Sequence, residues 1–175
     1  MKPRILKRRT RLLAGLVLSL FIVASCKKVP VAKAGDKVEI EKELDAFVSS
    51  LASDFPADES ALTQKIDAYI GNHSVKYYGS TVTVLDSNGK AIYSPYVYRK
   101  TRKDRVSTNC LMDASYKIDE QSWLRSPIDQ NQSIWTDPYY DAGGGEIWMQ
   151  TRSVPVRVGG KIIAVATTDV RVKKP

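Results

Sequence analysis

A carboxylate stands at the end of the most apolar strand-forming run in this chain. Asp169 follows the run KIIAVATT, residues 161–168. Because a carboxylate that is buried without a partner costs several kcal/mol, Asp169 needs a cation or several hydrogen-bond donors. It either anchors the amine of a ligand, or pairs with an arginine or with backbone N–H groups at the strand end. Since an extended strand alternates its two faces, the residues expected on the face of Asp169 are Ile163, Val165 and Thr167.

A second acid lies in the aromatic segment WTDPYYDAGGG, residues 135–145. Pro138 fixes the backbone beside Tyr139 and Tyr140, whose rings point in opposite directions if the segment is extended. One ring can therefore line a pocket while the other packs outside. Asp141 either reaches a ligand or caps the turn into the three glycines, which allow positive φ and close backbone approach.

Four more side chains could contribute to the same site. Trp123 offers a flat face for stacking or for a cation–π contact, or it is ordinary core. Arg125 could hold a carboxylate through its forked donors, or it is a solvated loop residue. Tyr96 and Tyr98 share one face of their strand, where their hydroxyls could donate to a ligand or their rings could simply pack.

Catalytic and metal sites find little support in the composition. The chain has one histidine, His73, and two cysteines, Cys26 and Cys110. His73 lies far along the chain from Cys110, so neither Cys/His catalysis nor a zinc site is favoured. We therefore expect no enzymatic activity, no cofactor and no metal.

The basic charge of the chain is concentrated at its N-terminus. The formal charge is +8, but the first 25 residues carry six basic side chains and no acid. The remainder is nearly balanced, which argues against a nucleic-acid surface. The apolar run at 12–24 is shorter than the roughly 20 residues that a membrane-spanning helix needs.

The sequence Val23-Ala24-Ser25-Cys26 that ends this run resembles a bacterial lipobox. It predicts a lipoprotein signal peptide at 1–25, a lipidated Cys26 and a short tether at 26–35. The alternatives are an ordinary signal peptide or an uncleaved anchor with a chance cysteine. Lipid on Cys26 would hold the protein to the bacterial cell envelope, facing the periplasm or the cell exterior. Lys27, which is not an aspartate, favours the outer membrane.

Periodicity predicts one domain over residues 36–175, with helices first and antiparallel strands after them, which is the α+β class. Asp36 and Glu39 form a capping-box pattern for the first helix. Gly159-Gly160 indicates a tight hairpin between the last two strands. The polar residues 127–133 are expected to be exposed, and 100–105 to be a charged loop. The predicted helices are 36–54, 58–70 and 118–124, and the predicted strands are 80–85, 90–99 with a break at Pro95, 147–158 and 161–170.

The aromatic loop, the SVPV sequence at 153–156 and the final strand ending in Asp169 together resemble a Cache domain, the extracytoplasmic PAS-like sensor module of bacterial receptors. The resemblance covers roughly residues 36–171. It implies a long N-terminal helix packed on a central antiparallel β-sheet, and a pocket between one sheet face and its covering loops. Ligands of the family are small amines, amino acids, carboxylates or purines. The ligand-binding residues that we predict are Trp123, Arg125, Tyr139, Asp141, Asp169 and Tyr98.

The resemblance also has departures. The amino-acid-binding subfamily carries an Arg-x-Trp-aromatic motif, whereas here Arg125 follows Trp123. Most members continue into a transmembrane helix and an output domain, but this sequence ends at Pro175. We therefore expect a lipid-anchored sensor of a small amine, amino acid or carboxylate that acts through a membrane signalling partner. The alternative is a structural or assembly lipoprotein that uses a PAS-like scaffold for protein contacts and binds no ligand.

Overall fold

The computed structural model describes residues 28–175, so the predicted signal peptide and Cys26 lie outside the described residues. An antiparallel sheet carries two N-terminal helices on one face, which confirms the α+β prediction. The main strand order is β4-β3-β1-β8-β7-β5, with β2 paired to β1 and β6 paired to β7. The elements are α1 (Lys37–Ser53), α2 (Glu59–Asn72), β1 (Tyr77–Leu85), β2 (Ala91–Tyr93), β3 (Tyr96–Arg99), β4 (Arg105–Thr108), α3 (Ser122–Asp129), β5 (Ile134–Trp135), β6 (Tyr139–Tyr140), β7 (Trp148–Val158) and β8 (Lys161–Arg171).

The two N-terminal helices bury apolar stripes of helical period against the sheet. The buried residues are Ile40, Leu44, Leu51, Leu62, Ile66, Tyr69 and Ile70. Asp58 caps α2, because its side chain accepts the N–H of Ala61 at 2.8 Å. The predicted capping box of Asp36 is wrong. A short 3₁₀ turn at Ala34–Asp36 gives Asp36 a helical backbone, and its carboxylate accepts the N–H of Lys33 and pairs with Lys76.

The hairpin of β7 and β8 is confirmed, with Gly159 and Gly160 at its tip, both at positive φ. The pairing slips between Val156↔Ala164 and Arg157↔Ile162, so Ile163 is an extra, bulged residue. The bulge reverses the alternation before Ala164. The prediction that Ile163 shares the face of Asp169 is therefore wrong, because Ile163 packs toward the helices.

Three short strands, β4, β5 and β6, were not predicted from the sequence, and α3 extends past the predicted helix end at 124. Residues 105–108 form the edge strand β4, paired to β3. The helix α3 continues through Pro127 to Asp129, where an exposed polar segment was expected. A proline inside a helix removes a hydrogen bond and costs about 3 kcal/mol. Burial of Trp123, Leu124 and Pro127 itself offsets this cost.

The described part of the expected tether, residues 28–35, packs against the domain. Val29 is buried beside Tyr78 and Met149. The N–H of Ala32 donates to the carbonyl of Arg171 at 3.0 Å. Within residues 28–175, no helix has both the length and the apolar character to cross a membrane.

Candidate functional site

A small, partly enclosed cavity lies on the sheet face opposite α1 and α2. Strands β1, β3 and β8 form its floor, and the segment that precedes and begins α3 forms its cover. Its volume is about 10 Å³, which is room for about one water molecule. The lining residues are Thr81, Tyr96, Leu111, Tyr116, Trp123, Tyr139, Asp141, Thr167 and Asp169.

Asp169 is the buried carboxylate of the cavity floor. Only 5% of the residue is exposed, and its Oδ1 accepts a hydrogen bond of 2.7 Å from Thr151 Oγ1. Burial, reinforced by the nearby Asp141 carboxylate, raises the pKa of Asp169 to about 7, although the Thr151 and Tyr96 hydroxyls lower it. Asp169 therefore titrates close to neutral pH.

Thr151 connects Asp169 to Tyr139. The hydroxyls of Tyr139 and Thr151 lie 2.8 Å apart. Because the single Thr151 proton is donated to the ionised Asp169, Tyr139 must donate its own proton to Thr151. The relay holds the Tyr139 ring against the cavity, and burial raises its hydroxyl pKa well above the usual value.

Asp141 is the second buried carboxylate, and it lies in the loop between β6 and β7. Its Oδ1 accepts a hydrogen bond of 2.7 Å from the Tyr116 hydroxyl, and its Oδ2 accepts the N–H of Gly145. Burial raises the pKa of Asp141, while these two donors lower it. Trp123 Nε1 donates to Tyr116 Oη at 3.1 Å, so the cover is tied to this acid through two aromatic side chains. Asp141 thus both caps its turn and lines the cavity.

The glycines of this loop are required by space more than by backbone conformation. Of the three, only Gly143 has a positive φ, at +82°. A Cβ on Gly144 would collide with the Asp141 carboxylate, and one on Gly145 would lie 2.5 Å from Met149 Cε. The loop backbone therefore folds directly onto the acid that it surrounds.

Tyr96 places a hydroxyl in the cavity that the fold leaves unsatisfied. The residue is 1% exposed, and within residues 28–175 its hydroxyl finds no partner of ordinary hydrogen-bond geometry. It nevertheless lies near enough to Asp169 to affect the pKa of that acid. An unpaired buried hydroxyl costs about 1–3 kcal/mol, so this group is poised to gain a partner.

The structure brings Trp123, Tyr139, Asp141 and Asp169 together in the cavity lining. The other two predicted residues lie outside that lining. Arg125 donates to the carbonyl of Gly89 at 3.0 Å and pairs with Asp129 at 2.7 Å. Tyr98 is half-buried and packs between the rings of Tyr78 and Tyr96.

Sequence reasoning did not assign five of the lining residues, which are Thr81, Tyr96, Leu111, Tyr116 and Thr167. Two of them had a readable signal. Thr167 alternates with Asp169 on β8, and Tyr96 shares the strand of the chosen Tyr98. Tyr116 lies in a segment with no clear period, between the short 3₁₀ turns 110–112 and 118–120.

The charge of the site is acidic. Among the residues described as lining it, none is a lysine, an arginine or a histidine. Within the described part of the chain no cluster of three or more His, Cys, Asp or Glu side chains could hold a metal ion. His73 lies on the helix side of the sheet, 3.5 Å from Glu43, and burial raises the pKa of the half-buried Cys110 thiol. The arrangement therefore has the means to hold a cation by charge.

Comparisons with known proteins agree with this architecture. The chain resembles the extracellular domain of a protein described as the histidine kinase soHK1S-Z6, at 20% identity and a TM-score of 0.66, covering 77% of this chain and 53% of that one. It also resembles the ligand-binding domain of the Pseudomonas aeruginosa PAO1 amino acid chemoreceptor PctC, solved with GABA, at 18% identity and a TM-score of 0.55, covering 78% and 57%. The sensory domain of the Campylobacter jejuni chemoreceptor Tlp3, solved with isoleucine, matches at 17% identity and a TM-score of 0.57, covering 78% and 52%.

These likenesses show a shared fold, and the chain spans about half the length of the solved structures that it matches. A search of curated proteins finds no significant relative. A family model does match, over residues 62–174. That range contains the whole sheet, the cover and every residue that lines the cavity. The chain belongs to the family of methyl-accepting chemotaxis protein-like, first PDC sensor domains.

Proposed function

We propose that this sensor domain binds a small cationic amine, whose ammonium group is held by Asp141 and Asp169. The observation that carries this proposal is that two buried carboxylates line one cavity whose described lining contains no basic side chain. The pKa of each acid is raised, so each gains stabilisation from a nearby positive charge.

The rest of the lining suits an ammonium group as well. The cover presents the rings of Tyr116 and Trp123, and Tyr139 adds a third aromatic side chain. Aromatic faces attract cations by about 0.5–2 kcal/mol each, and more strongly when the cation is desolvated. The unsatisfied Tyr96 hydroxyl would gain a hydrogen-bond partner in the ligand.

A simple carboxylate ligand fits this cavity poorly, because Asp141 and Asp169 would repel it. Arg125, the side chain expected to bind a carboxylate, is already engaged with Asp129 and Gly89. The relatives solved with GABA and isoleucine bind ligands that carry both charges. An amino acid would therefore place its amino group between the acids and its carboxylate away from them.

Entry of such a ligand requires the cover to move. A cavity of about 10 Å³ holds roughly one water molecule and not an alkylamine. Leu111, Tyr116 and Trp123 approach the sheet from the segment between β4 and the end of α3. We propose that this segment swings outward on binding and that its new position is the signal.

We further propose that the protein resides outside the cytoplasm, anchored by lipid on Cys26, and acts through a membrane signalling partner without transforming its ligand. The lipobox-like sequence supports the anchor, and the family of sensor domains supports the location. A related domain belongs to a protein described as a histidine kinase, and others belong to chemoreceptors. These are the classes of partner that we propose.

The small cavity also favours a second candidate function. A scaffold that holds a protein partner and binds no ligand would have a filled interior, as the cavity volume of about 10 Å³ allows. Against it, Asp169 accepts only a neutral hydroxyl and has no ion pair within the described chain. In a scaffold that binds no ligand, a buried carboxylate without an ion pair would have no evident role.

A thermal-shift comparison of matched ligands tests the proposed function. Purified protein is heated with n-propylamine, with propionate, and with γ-aminobutyrate, L-isoleucine and L-valine. We expect the amine or an amino acid to raise the melting temperature, and propionate to leave it unchanged. Stabilisation by propionate alone would overturn the amine assignment, and no response to any amine or amino acid would favour the scaffold function.

A further inference from the structure

Beyond the ligand site, one end of the sheet gathers basic side chains from three separate segments. At this end β8 finishes, β1 begins and β3 turns into β4, as the pairings Tyr77↔Val170 and Arg99↔Arg105 show. The residues that we call the basic end are Lys28, Lys100, Arg102, Lys103, Arg171, Lys173 and Lys174.

Contacts between the segments fix the basic end as one surface. Arg102 Nε donates to the carbonyl of Lys28 at 3.4 Å. The next residue, Val29, is buried beside Met149, which lies opposite Arg171 in the β7–β8 pairing. The β3–β4 turn, the first described residues and the end of β8 are therefore neighbours in the folded chain.

This surface is more basic than the rest of the domain. Residues 28–175 contain 20 Lys and Arg against 19 Asp and Glu, so the described chain is almost neutral. The exposed acids near this end are Asp104, which bonds to Thr101, Glu146, which bonds to Tyr140, and Glu39 on the first turn of α1, so the seven basic side chains still outnumber them. Lys76 is paired with Asp36 and does not add to the excess. Because acids elsewhere balance this positive excess, the charge of the domain is distributed unevenly, with its positive side at the basic end.

The chain reaches the fold at this same end. Lys28 is the first described residue, and the apolar run at 12–24 lies only a few positions earlier. This step rests on the lipid anchor proposed above: Cys26 stands only two positions before Lys28 in the sequence, so a lipid on it would bring the bilayer close to the basic end. Basic side chains close to a bilayer are attracted to anionic headgroups, and the attraction fades within a Debye length.

We propose that the basic end docks on anionic phospholipid headgroups and thereby sets the orientation of the domain on the membrane. The occupant is the bilayer surface itself. The opposite end of the sheet, with the turn at Lys90 and the β7–β8 hairpin at Lys161, then points away from the membrane.

Lysine labelling of the full chain in lipid nanodiscs tests this proposal. Nanodiscs of phosphatidylcholine alone are compared with nanodiscs of an equal mixture with phosphatidylglycerol, and acetylation of single lysines is read by mass spectrometry. We expect labelling of Lys100 and Lys103 to fall at least about threefold in the anionic nanodiscs, and high salt to restore it. Lys90 and Lys161, which are also exposed, serve as internal controls and should not change.

A pair of charge-matched variants separates surface docking from overall charge. Lys100→Glu with Lys103→Glu should abolish the lipid-dependent protection of Lys173 and Lys174, whereas Lys90→Glu with Lys161→Glu should retain it. Lysine labelling that does not differ between neutral and anionic nanodiscs would overturn the proposal. If these lysines are protected to the same degree in both nanodiscs, the contact comes from the anchor and not from anionic lipid.

Discussion

Thr151 and Asp169 lie directly opposite each other across the β7–β8 pair, and the Thr151 hydroxyl donates to the Asp169 carboxylate at 2.7 Å. This neutral donor is the hydrogen-bond partner of a carboxylate buried on a sheet floor. Burial is the main reason that the pKa of this acid is raised, since the neutral hydroxyls near it compensate only part of the desolvation cost. The ionisation of Asp169 should therefore respond to a ligand, because a bound cation would supply the positive charge that its surroundings lack.

Replacing Asp169 with asparagine should remove a pH dependence of stability. The folded-state pKa of Asp169, about 7, lies above its unfolded value of 3.8, so the folded protein binds the proton more tightly. Stability therefore falls as pH rises between about 4 and 7, by on the order of 4 kcal/mol. Asp169→Asn should flatten this slope and make the protein more stable than the wild type at about pH 8. Urea unfolding across this range measures both effects.

The exposed Asp137, changed to asparagine, is the matched control for that measurement and should leave the slope intact. The same steep slope in Asp169→Asn would show that another group is responsible. Carboxyls with lowered pKa, such as Asp36 and Asp67, lose their contribution only below about pH 4, outside this window.

Two tyrosine-to-phenylalanine changes should act in opposite ways. Tyr96→Phe removes a buried hydroxyl that has no partner of ordinary geometry in the described chain but lowers the pKa of Asp169, so at about pH 5, where that acid is protonated, it should be neutral or stabilising by up to about 2 kcal/mol. Tyr116→Phe removes the donor to Asp141 and the acceptor of Trp123, and should cost about 1–3 kcal/mol. Both values come from denaturant unfolding without ligand.

Amine binding then distinguishes the role of Tyr96. We expect Tyr96→Phe to weaken the stabilisation by an amine even though the protein itself is as stable as the wild type. A variant that is clearly destabilised would show that the hydroxyl has a structural partner, and undiminished binding would remove Tyr96 from the site.

Gly145→Ala should be strongly destabilising. The added Cβ would lie 2.5 Å from Met149 Cε and 3.0 Å from the Tyr78 ring, and the N–H of Gly145 is a donor to Asp141. Overpacking of this kind costs about 1–3 kcal/mol, and a displacement of the loop would also weaken the hydrogen bond from the backbone N–H of residue 145 to the carboxylate. Gly35→Ala is the control, because nothing lies within 4 Å of its new Cβ. Equal melting temperatures for the two variants would contradict the packing of this loop.

Arg125→Ala should leave ligand binding unchanged. The guanidinium pairs with Asp129 one helical turn away and donates to Gly89, both outside the cavity lining. An exposed pair of this spacing contributes about 0.3–0.5 kcal/mol, so the stability loss should stay below roughly 1 kcal/mol. A titration calorimetry comparison with the wild type checks this, and an abolished signal would place Arg125 in the binding mechanism.

The sequence predicted those parts of the fold that are governed by local patterns. The apolar stripes from Ile40 to Ile70 have a clear helical period, and the two glycines at 159–160 mark a turn. The two helices and the hairpin lie where these patterns predicted them. The edge strand β4 was missed because its four residues, two exposed and two half-buried, carry no apolar alternation in their types. The bulge at Ile163 could not be predicted, since it depends on the register against β7.

The residues of the cavity also separate into those with a local sequence signal and those placed only by the tertiary fold. Asp169, Asp141 and Tyr139 stand beside strong local signals, which are a strand end and a Pro–Gly loop. The choice between Tyr96 and Tyr98 depended on the register of β3 against β1, which sets Tyr96 opposite Thr81, and both of these residues line the cavity. Tyr116 comes from a segment without periodicity and reaches Asp141 only through the tertiary fold. Arg125 was predicted to bind a ligand because of its residue type, but it pairs with Asp129, one turn away on α3.

The affinity for an amine at two pH values tests the central claim most directly. Alkylamines stay protonated from about pH 6 to pH 8, whereas an acid with a pKa of about 7 goes from mostly protonated to mostly ionised. Titration calorimetry with n-propylamine, or with the amino acid of the panel that stabilises the protein most, should therefore show binding about tenfold tighter at pH 8 than at pH 6. Asp169→Asn should lose this difference. An affinity independent of pH in the wild type, or tighter at pH 6, would contradict an amine held by the ionised Asp169.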